Sequence, residues 1–502
     1  MLLHRLLWDG AERAPDRPAL VWVDRQRSVT YAEAVALAER AAGALSELGV
    51  GRGDRVGLFA HNGLDYLAAM FGAWRLGAIS AHISVMYADT LDYYVQDCEP
   101  TVLVYTHDQL PAIERHRAAM PSIRHYLCMD GPQDGAISWP DALAAAGPPP
   151  ADRVDEADVA HLSYTSGTSG PPKGAGLAHE PTARATSCIA ERLRITAGDV
   201  SVGPTSLSSS YQLVANLLPV LHRHGTCAVI GRWDPALGYD QIAGVGGTIL
   251  AANPPILTGM LEESRRRGAP PASLRLAVSG GGPVPPELKA GWRDHFGIPL
   301  AESYGQSELG GFVGLGAPDL PTDERLAACG RPLPDKEVRV VDDAGREVPT
   351  GALGELVLRG GFMAGYWNRP EKTAEVLRGG WLHTGDVGYV DADDFVFMRG
   401  RLSERLTVGG VHWYPRDVEE ALLRHGAVRE AAVVGFPDGH GHRPVAFVTA
   451  DAGGVPVDEV LASVAAELPA HDIAALSIEV IAALPMTPTG KVSKAQLLDA
   501  FA

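Results

Sequence analysis

Short apolar runs alternate with amphipathic helical segments through residues 30–105, and that alternation restricts the chain to few folds. Residues 30–48 open on Thr30, a helix-capping residue type, and carry apolar side chains at helical spacing. Residues 55–59 read as a short buried strand. Residues 64–76 read as a second helix closed by Gly77, 78–83 as an apolar extended run, and 101–105 as another strand. Strands that run parallel need long crossovers, and helices at this spacing supply them. The expected result is a parallel sheet with helices on both faces.

Residues 147–151 include three prolines and interrupt the pattern, which then resumes. Residues 159–164 form a predicted strand feeding a Gly-rich loop, with further short strands at 226–230, 248–251 and 274–279. After about residue 330 the character changes. Residues 337–341 and 355–358, with 342–345 between them, suggest antiparallel hairpins. A strand at 395–398 precedes the charged stretch 401–405. Beyond it a helix at 415–425, strands at 431–435 and 445–449 and a helix at 457–467 suit a small α+β unit. At 502 residues the chain exceeds one core. The expected class is α/β, with a large N-terminal domain of parallel or mixed sheets and a β-rich subdomain (1–402), and a small α+β C-terminal domain (403–502).

The formal net charge of −18 argues against nucleic acid or an anionic membrane face as partner. Cys98, Cys128, Cys188, Cys227 and Cys329 lie far apart with no CxxC spacing, which suits small buried side chains in a reducing compartment. Residues 1–10 contain Arg5 and Asp9 and do not read as a signal peptide. No apolar stretch is long enough to span a bilayer, so a cytoplasmic location is expected.

Residues 164–174 read Tyr-Thr-Ser-Gly-Thr-Ser-Gly-Pro-Pro-Lys-Gly. Gly167 and Gly170 permit close backbone approach. Thr165, Ser166, Thr168 and Ser169 supply hydroxyls, successive N–H groups can form an anion-binding nest, and Lys173 adds positive charge. Pro172 before the lysine separates this loop from the common nucleotide P-loop.

The loop resembles the phosphate-binding motif of the acyl-adenylate-forming superfamily, which includes acyl-CoA synthetases, aryl-CoA ligases, peptide-synthetase adenylation domains and firefly luciferase. The resemblance extends from about Tyr31 to Leu498. It implies ATP, Mg²⁺ and coenzyme A, with the loop closing over the β- and γ-phosphates. Tyr304-Gly305-Gln306-Ser307-Glu308 is similar to the family's Tyr-Gly-x-Thr-Glu. By resemblance, Tyr304 stacks on adenine, the Ser307 hydroxyl contacts phosphate, and Glu308, with Thr168, serves Mg²⁺. Glu302 falls where the family often places a polar partner for the adenine amino group. Thr384-Gly385-Asp386 matches the ribose-binding aspartate, and Gly400-Arg401 an arginine that contacts ribose or phosphate. Residues 485–491, Pro-Met-Thr-Pro-Thr-Gly-Lys, resemble the loop carrying the adenylation lysine, Lys491.

The resemblance implies two steps, acyl-adenylate formation and then thioester formation, with the small C-terminal lid rotating between them. The hinge falls at Ser403, and residues 407–411, with Gly409 and Gly410, match the loop that lines the thiol tunnel. The sequence departs from the family at three points. The hinge is usually Asp or Lys, a basic residue often found in the following loop is replaced by Thr407, and 205–211 lacks the usual histidine beside the acyl pocket. Small residues at Ser208, Ser209, Ser210, Gly280, Gly281, Gly282, Gly310 and Gly311, together with Tyr211, imply room for a bulky aromatic or polycyclic acid. An acid–CoA ligase leads. Four other readings stay open: an enzyme that only forms thioester from a preformed adenylate, an adenylation enzyme that loads a carrier protein, a non-catalytic adenylate-binding protein, and a luciferase-like oxygenase, which nothing favours. The partners are a carboxylic acid and CoA, and a homodimer is the assembly entertained.

Overall fold

The computed structural model describes residues 1–165, 171–439, 441–450, 454–486 and 492–501. It divides into two compact units, Met1–Val338 with Leu358–Leu382 and Asp393–Val396, and Arg339–Val357 with His383–Ala392 and Phe397–Ala502.

The first unit holds two large sheets. One runs in the order Gly365–Tyr366, Gly174–Ala178, Val159–Tyr164, Ile79–His82, Arg55–Phe59, Val102–Tyr105, His125–Cys128, Ile137–Ser138. Pairing is parallel from Val159–Tyr164 onward and antiparallel on the other side of that strand. The other has nine strands, with a parallel centre built from Leu300–Tyr304, Leu276–Ser279, Ile249–Ala252, Val200–Gly203, Thr226–Val229 and Pro18–Trp22. The expected alternation is therefore present, with antiparallel edges added. The helix Tyr31–Glu47 starts on a capping box. Thr30 Oγ1 accepts from the Glu33 N–H, and Glu33 Oε2 accepts from the Thr30 N–H. Its alanine-rich face packs on the helix Leu64–Arg75, where Tyr66, Phe71 and Trp74 are fully buried.

Four histidines lie inside this unit. His82 ends one strand, His161 sits in Val159–Tyr164, His179 begins the helix His179–Arg192, and His4 precedes the helix Arg5–Arg13. Ring centroids of His82 and His161 are 5.8 Å apart, and those of His4 and His179 6.3 Å. Tyr66 Oη lies 2.8 Å from His82 Nδ1 and Ser80 Oγ 2.9 Å from His82 Nε2. Neither nitrogen of His161 has a hydrogen-bond partner among the described residues. Burial holds all four imidazoles below their usual pKa, with His82 and His179 pushed down to about 3.

Gly354–Arg359, Trp381–Val390 and Val396–Arg401 belong to one sheet with Glu337–Val341 at its edge, and most of their residues are in the second unit. Further along the chain, Glu430–Pro437 pairs antiparallel with His442–Thr449, which pairs parallel with Ser477–Val480. The helices Pro415–Leu423 and Val457–Glu467 cover this sheet around the buried Trp413.

Candidate active site

The Gly-rich loop joins two antiparallel strands, and its base is latched at two points. The Thr165 N–H donates to the Lys173 carbonyl at 3.0 Å, and the Lys173 N–H donates to Thr165 Oγ1 at 3.1 Å. Ser166, Gly167, Thr168, Ser169 and Gly170 lie outside the described residues. The Lys173 ammonium stands 5.1 Å from the centre of the Tyr366 ring, in cation–π contact. Tyr366 in turn donates its hydroxyl to Glu308 Oε1 at 2.6 Å. Two motifs 135 positions apart in sequence, at Lys173 and Glu308, therefore meet through a tyrosine that belongs to neither.

A short edge strand makes this possible. Gly365–Tyr366 pairs antiparallel with the strand leaving the loop, Gly365 opposite Gly176 and Tyr366 opposite Ala175. Backbone bonds from Ala364 N–H to Gly176 O and from Trp367 N–H to Gly174 O, both 2.8 Å, extend the pairing. The Met363 N–H donates to the Glu308 carbonyl at 2.7 Å. Glu308 and Ser307 lie in the short 3₁₀ turn Ser307–Leu309, which Gly310 ends with φ of +58°. A carboxylate with one oxygen held by a tyrosine keeps acceptor capacity for a hard cation. Among the described residues no cluster of three or more ligating side chains gathers around it. One carboxylate suits Mg²⁺, which is commonly held through one or two carboxylates plus substrate phosphates.

Tyr304 ends the strand Leu300–Tyr304 and is 9% exposed. Glu302, two residues earlier on the same face, is committed elsewhere. Its carboxylate pairs with the buried Lys289 ammonium and accepts from Cys329 Sγ at 3.3 Å, while Lys289 also donates to the Ala328 carbonyl at 2.8 Å. Spacing alone did not reveal this buried pair, because Lys289 lies on a separate helix, Pro286–Phe296.

The residues expected around the acid divide by surroundings. A Cβ on Gly280 would lie 2.2 Å from Ser303 Oγ and 3.0 Å from the Tyr211 ring, so Gly280 is needed for close packing. Gly310 faces Thr182, and Gly311 packs on Ala185. Gly281 and Gly282 have no atom within 4 Å of an added Cβ, and Gly281 holds φ of +77°. The Tyr211 hydroxyl donates to the carbonyls of Val278 (2.9 Å) and Ala252 (3.3 Å), and burial pushes its pKa up. The ring is thereby fixed beside Phe312, 6.0 Å between centroids. Ser209 and Ser210 begin a helix that becomes a π-helix at Leu213–Leu217, an irregularity with no signal in the sequence pattern. Asn62 holds the preceding segment by accepting from the Leu207 N–H (2.7 Å) and donating to the Thr205 carbonyl (2.9 Å).

In the second unit Asp386 is buried, and its carboxylate lies 3.1 Å from Arg401 Nε. The Asp386 N–H donates to Thr384 Oγ1 (3.0 Å), which itself donates to the Leu356 carbonyl (2.6 Å). The Gly385 N–H donates to Glu355 Oε1 at 3.0 Å, and His383 Nδ1 lies 2.8 Å from Glu355 Oε2. Ser403 lies in the short turn Leu402–Glu404. Gly409 and Gly410, at φ of +58° and +81°, form the two-residue turn between Leu406–Val408 and Val411–Trp413. Lys491 lies outside the described residues. Nearby in sequence, Lys494 pairs with Glu419 at 2.9 Å and Glu404 at 3.4 Å.

Comparison with known proteins decides the family. The AMP-binding enzyme family matches residues 7–367, and the AMP-binding enzyme C-terminal domain matches residues 417–491. The chain belongs to the AMP-binding enzyme family. It is 31% identical over 479 residues to a feruloyl-CoA synthase of an Amycolatopsis species, covering 94% of each chain. It is 31% identical to the fatty acid–[acyl-carrier-protein] ligase ScoC of Streptomyces coeruleorubidus, covering 98% of this chain and 95% of that one. The crystal structure of the anthranilate CoA ligase AuaEII in complex with anthranoyl-AMP superposes with a TM-score of 0.89 at 27% identity, over 100% of this chain and 97% of that one. This AMP-binding enzyme is an ATP-dependent acid–CoA ligase. No helix among its described residues is long and apolar enough to cross a membrane.

Proposed function

We propose that this ligase makes its own acyl-adenylate from a bulky, aromatic or polycyclic acid and then passes the acyl group to coenzyme A. The observation that carries the reading is the chain Lys173–Tyr366–Glu308, which holds a phosphate-loop cation and a metal-type carboxylate on one tyrosine. In the first step a carboxylate oxygen attacks the α-phosphorus of ATP, and pyrophosphate leaves as the P–O bond breaks. In the second the thiol sulfur attacks the acyl carbon, and AMP leaves with the electron pair of the C–O bond. Such chemistry depends on positioning and charge stabilisation.

Thr165, Ser166, Gly167, Thr168, Ser169, Gly170, Lys173 and Ser307 would hold the phosphates, Tyr304 the adenine, and Asp386 with Arg401 the ribose. Mg²⁺, held by Glu308 and the Thr168 hydroxyl, would offset phosphate charge. Lys491 would neutralise charge building at the α-phosphate. The C-terminal domain, residues 403–502, would rotate at Ser403 and bring the Gly410 turn to the thiol. Relatives named for ferulate and anthranilate support a large acid. None of the five cysteines is in a disulfide, which fits a cytoplasmic setting.

Two assays test the reading. Pyrophosphate release is followed with ATP, Mg²⁺ and a panel of acids rising in size from acetate. Thioester formation is followed from a synthetic acyl-adenylate and CoA. Activity in both, with bulky acids preferred, is expected. Activity only in the second overturns self-made adenylate, and an acetate preference overturns the bulky acid. Lys491→Ala is expected to abolish the first assay and spare the second.

A further inference from the structure

A hydrogen-bonded cluster meets both stems of the Gly-rich loop, and three of its members, Tyr93, Asp97 and Arg369, belong to none of the motifs quoted above. Tyr93 donates its hydroxyl to the Pro172 carbonyl at 2.5 Å, on the outgoing side of the loop. Tyr164, on the incoming side, donates its hydroxyl to Asp97 Oδ2 at 3.1 Å. Arg369 joins the two anchors, reaching Asp97 Oδ1 at 2.5 Å and the Tyr93 oxygen at 3.3 Å. The Asp97 side chain is only 5% exposed, so its bonds to Tyr164 and Arg369 are shielded from competing water. Tyr93 and Asp97 both lie on the helix Leu91–Cys98, four residues apart and so on one face. Arg369 lies three residues after Tyr366, which ends the edge strand.

We propose that Tyr93, Asp97 and Arg369 are positioning residues for the β- and γ-phosphates of ATP. The proposal rests on the reading that the loop receives those phosphates. The positions of a loop's two stems limit where its N–H groups can point. Here each stem is tied by a tyrosine hydroxyl to a single rigid base. Arg369 carries that base to the segment whose Tyr366 contacts Lys173 and Glu308. Loop stems, lysine and carboxylate are thus referred to one segment, residues 363–369. None of the three residues needs to touch nucleotide.

The test uses two probes that differ only where the loop acts. Binding of Mg²⁺ with α,β-methylene-ATP, and separately of AMP, is measured by titration calorimetry on the full-length protein and on Tyr93→Phe, Asp97→Asn and Arg369→Lys. Loss of one stem bond is expected to weaken the triphosphate analogue about three- to tenfold. AMP, which has no β- or γ-phosphate, is expected to bind as it does to the unchanged protein, and Arg369→Lys is expected to retain more analogue affinity than Asp97→Asn. Lys173→Ala serves as the reference for the loop itself. Equal weakening of both probes would make the cluster merely structural and overturn the proposal. If Lys173→Ala weakens the analogue but the three variants do not, the clamp is wrong and the loop reading stands. If Lys173→Ala also has no effect, the loop reading fails and the proposal falls with it.

Discussion

Arg401 Nε lies 3.1 Å from the carboxylate of Asp386, so the two residues expected at the ribose hold each other. Asp386 is buried and its backbone is fixed through Thr384 and Leu356, whereas Arg401 is 40% exposed. The aspartate is thus the rigid member and the arginine the adjustable one. Asp386→Asn is expected to weaken AMP and ATP alike, by about tenfold or more, because both carry the ribose. Equilibrium binding of the two nucleotides checks this, and a loss confined to ATP would contradict a ribose role.

Tyr366→Phe removes the hydroxyl that Glu308 accepts while leaving the ring under Lys173. The apparent Mg²⁺ requirement for pyrophosphate release is expected to rise by about three- to tenfold. The thermal midpoint should stay close to that of the unchanged protein. An unaltered Mg²⁺ titration would show that Glu308 needs no such support.

Buried histidines predict loss of stability in acid. His82 and His179 titrate near 3 when folded and near 6.5 when unfolded, and His161 is also held well below its usual value by burial and by its histidine neighbours. Their stabilisation is complete above pH 6.5 and is lost as pH falls toward the folded values, because the unfolded chain binds the protons first. Each contributes a slope of at most about 1.4 kcal/mol per pH unit. Tyr66, Ser80, Trp74 and His4 face them, and Asp152, 2.9 Å from His4 Nε2, partly opposes the effect at His4 and, with Asp158, at His179. Urea unfolding midpoints from pH 7 to pH 5 are expected to fall steeply, and less so in His161→Phe.

Gly280→Ala should destabilise by about 1–3 kcal/mol, since its Cβ would collide with Ser303 Oγ and the Ser303 carbonyl. Gly282→Ala meets open space, so its thermal midpoint should hardly move. If Gly282 borders the acid, kcat/KM should drop for the largest acids in a panel and hold for small ones. A uniform change across the panel would remove Gly282 from the pocket.

Periodicity revealed the parallel sheets, since residues 55–59 and 101–105 are short apolar runs spaced by helices and occur as Arg55–Phe59 and Val102–Tyr105. It missed the helix Arg5–Arg13 and the strand Pro18–Trp22, whose partner, Thr226–Val229, lies some two hundred residues away. Motif order pointed to Lys173, Glu308 and Asp386. It could not point to Tyr366, Arg369, Tyr93 or Asp97, because their significance comes from side-chain contacts between elements far apart in sequence. The run Tyr366-Trp367-Asn368-Arg369 was the one available signal, and an aromatic-basic run alone is common on surfaces. Glu302 shows the reverse case. Its position suggested a nucleotide contact, while its chemistry in the fold is a buried pair with Lys289.

The packing of Gly280 against Ser303 and Tyr211 has a bearing on how such an enzyme could diverge. That side of the proposed acid pocket is welded to the sheet, so drift there would be purged as misfolding before any new substrate could be tried. Gly282 carries no such burden, since an added Cβ there meets nothing within 4 Å. A lineage seeking a different acid would therefore remodel one wall and inherit the other unchanged.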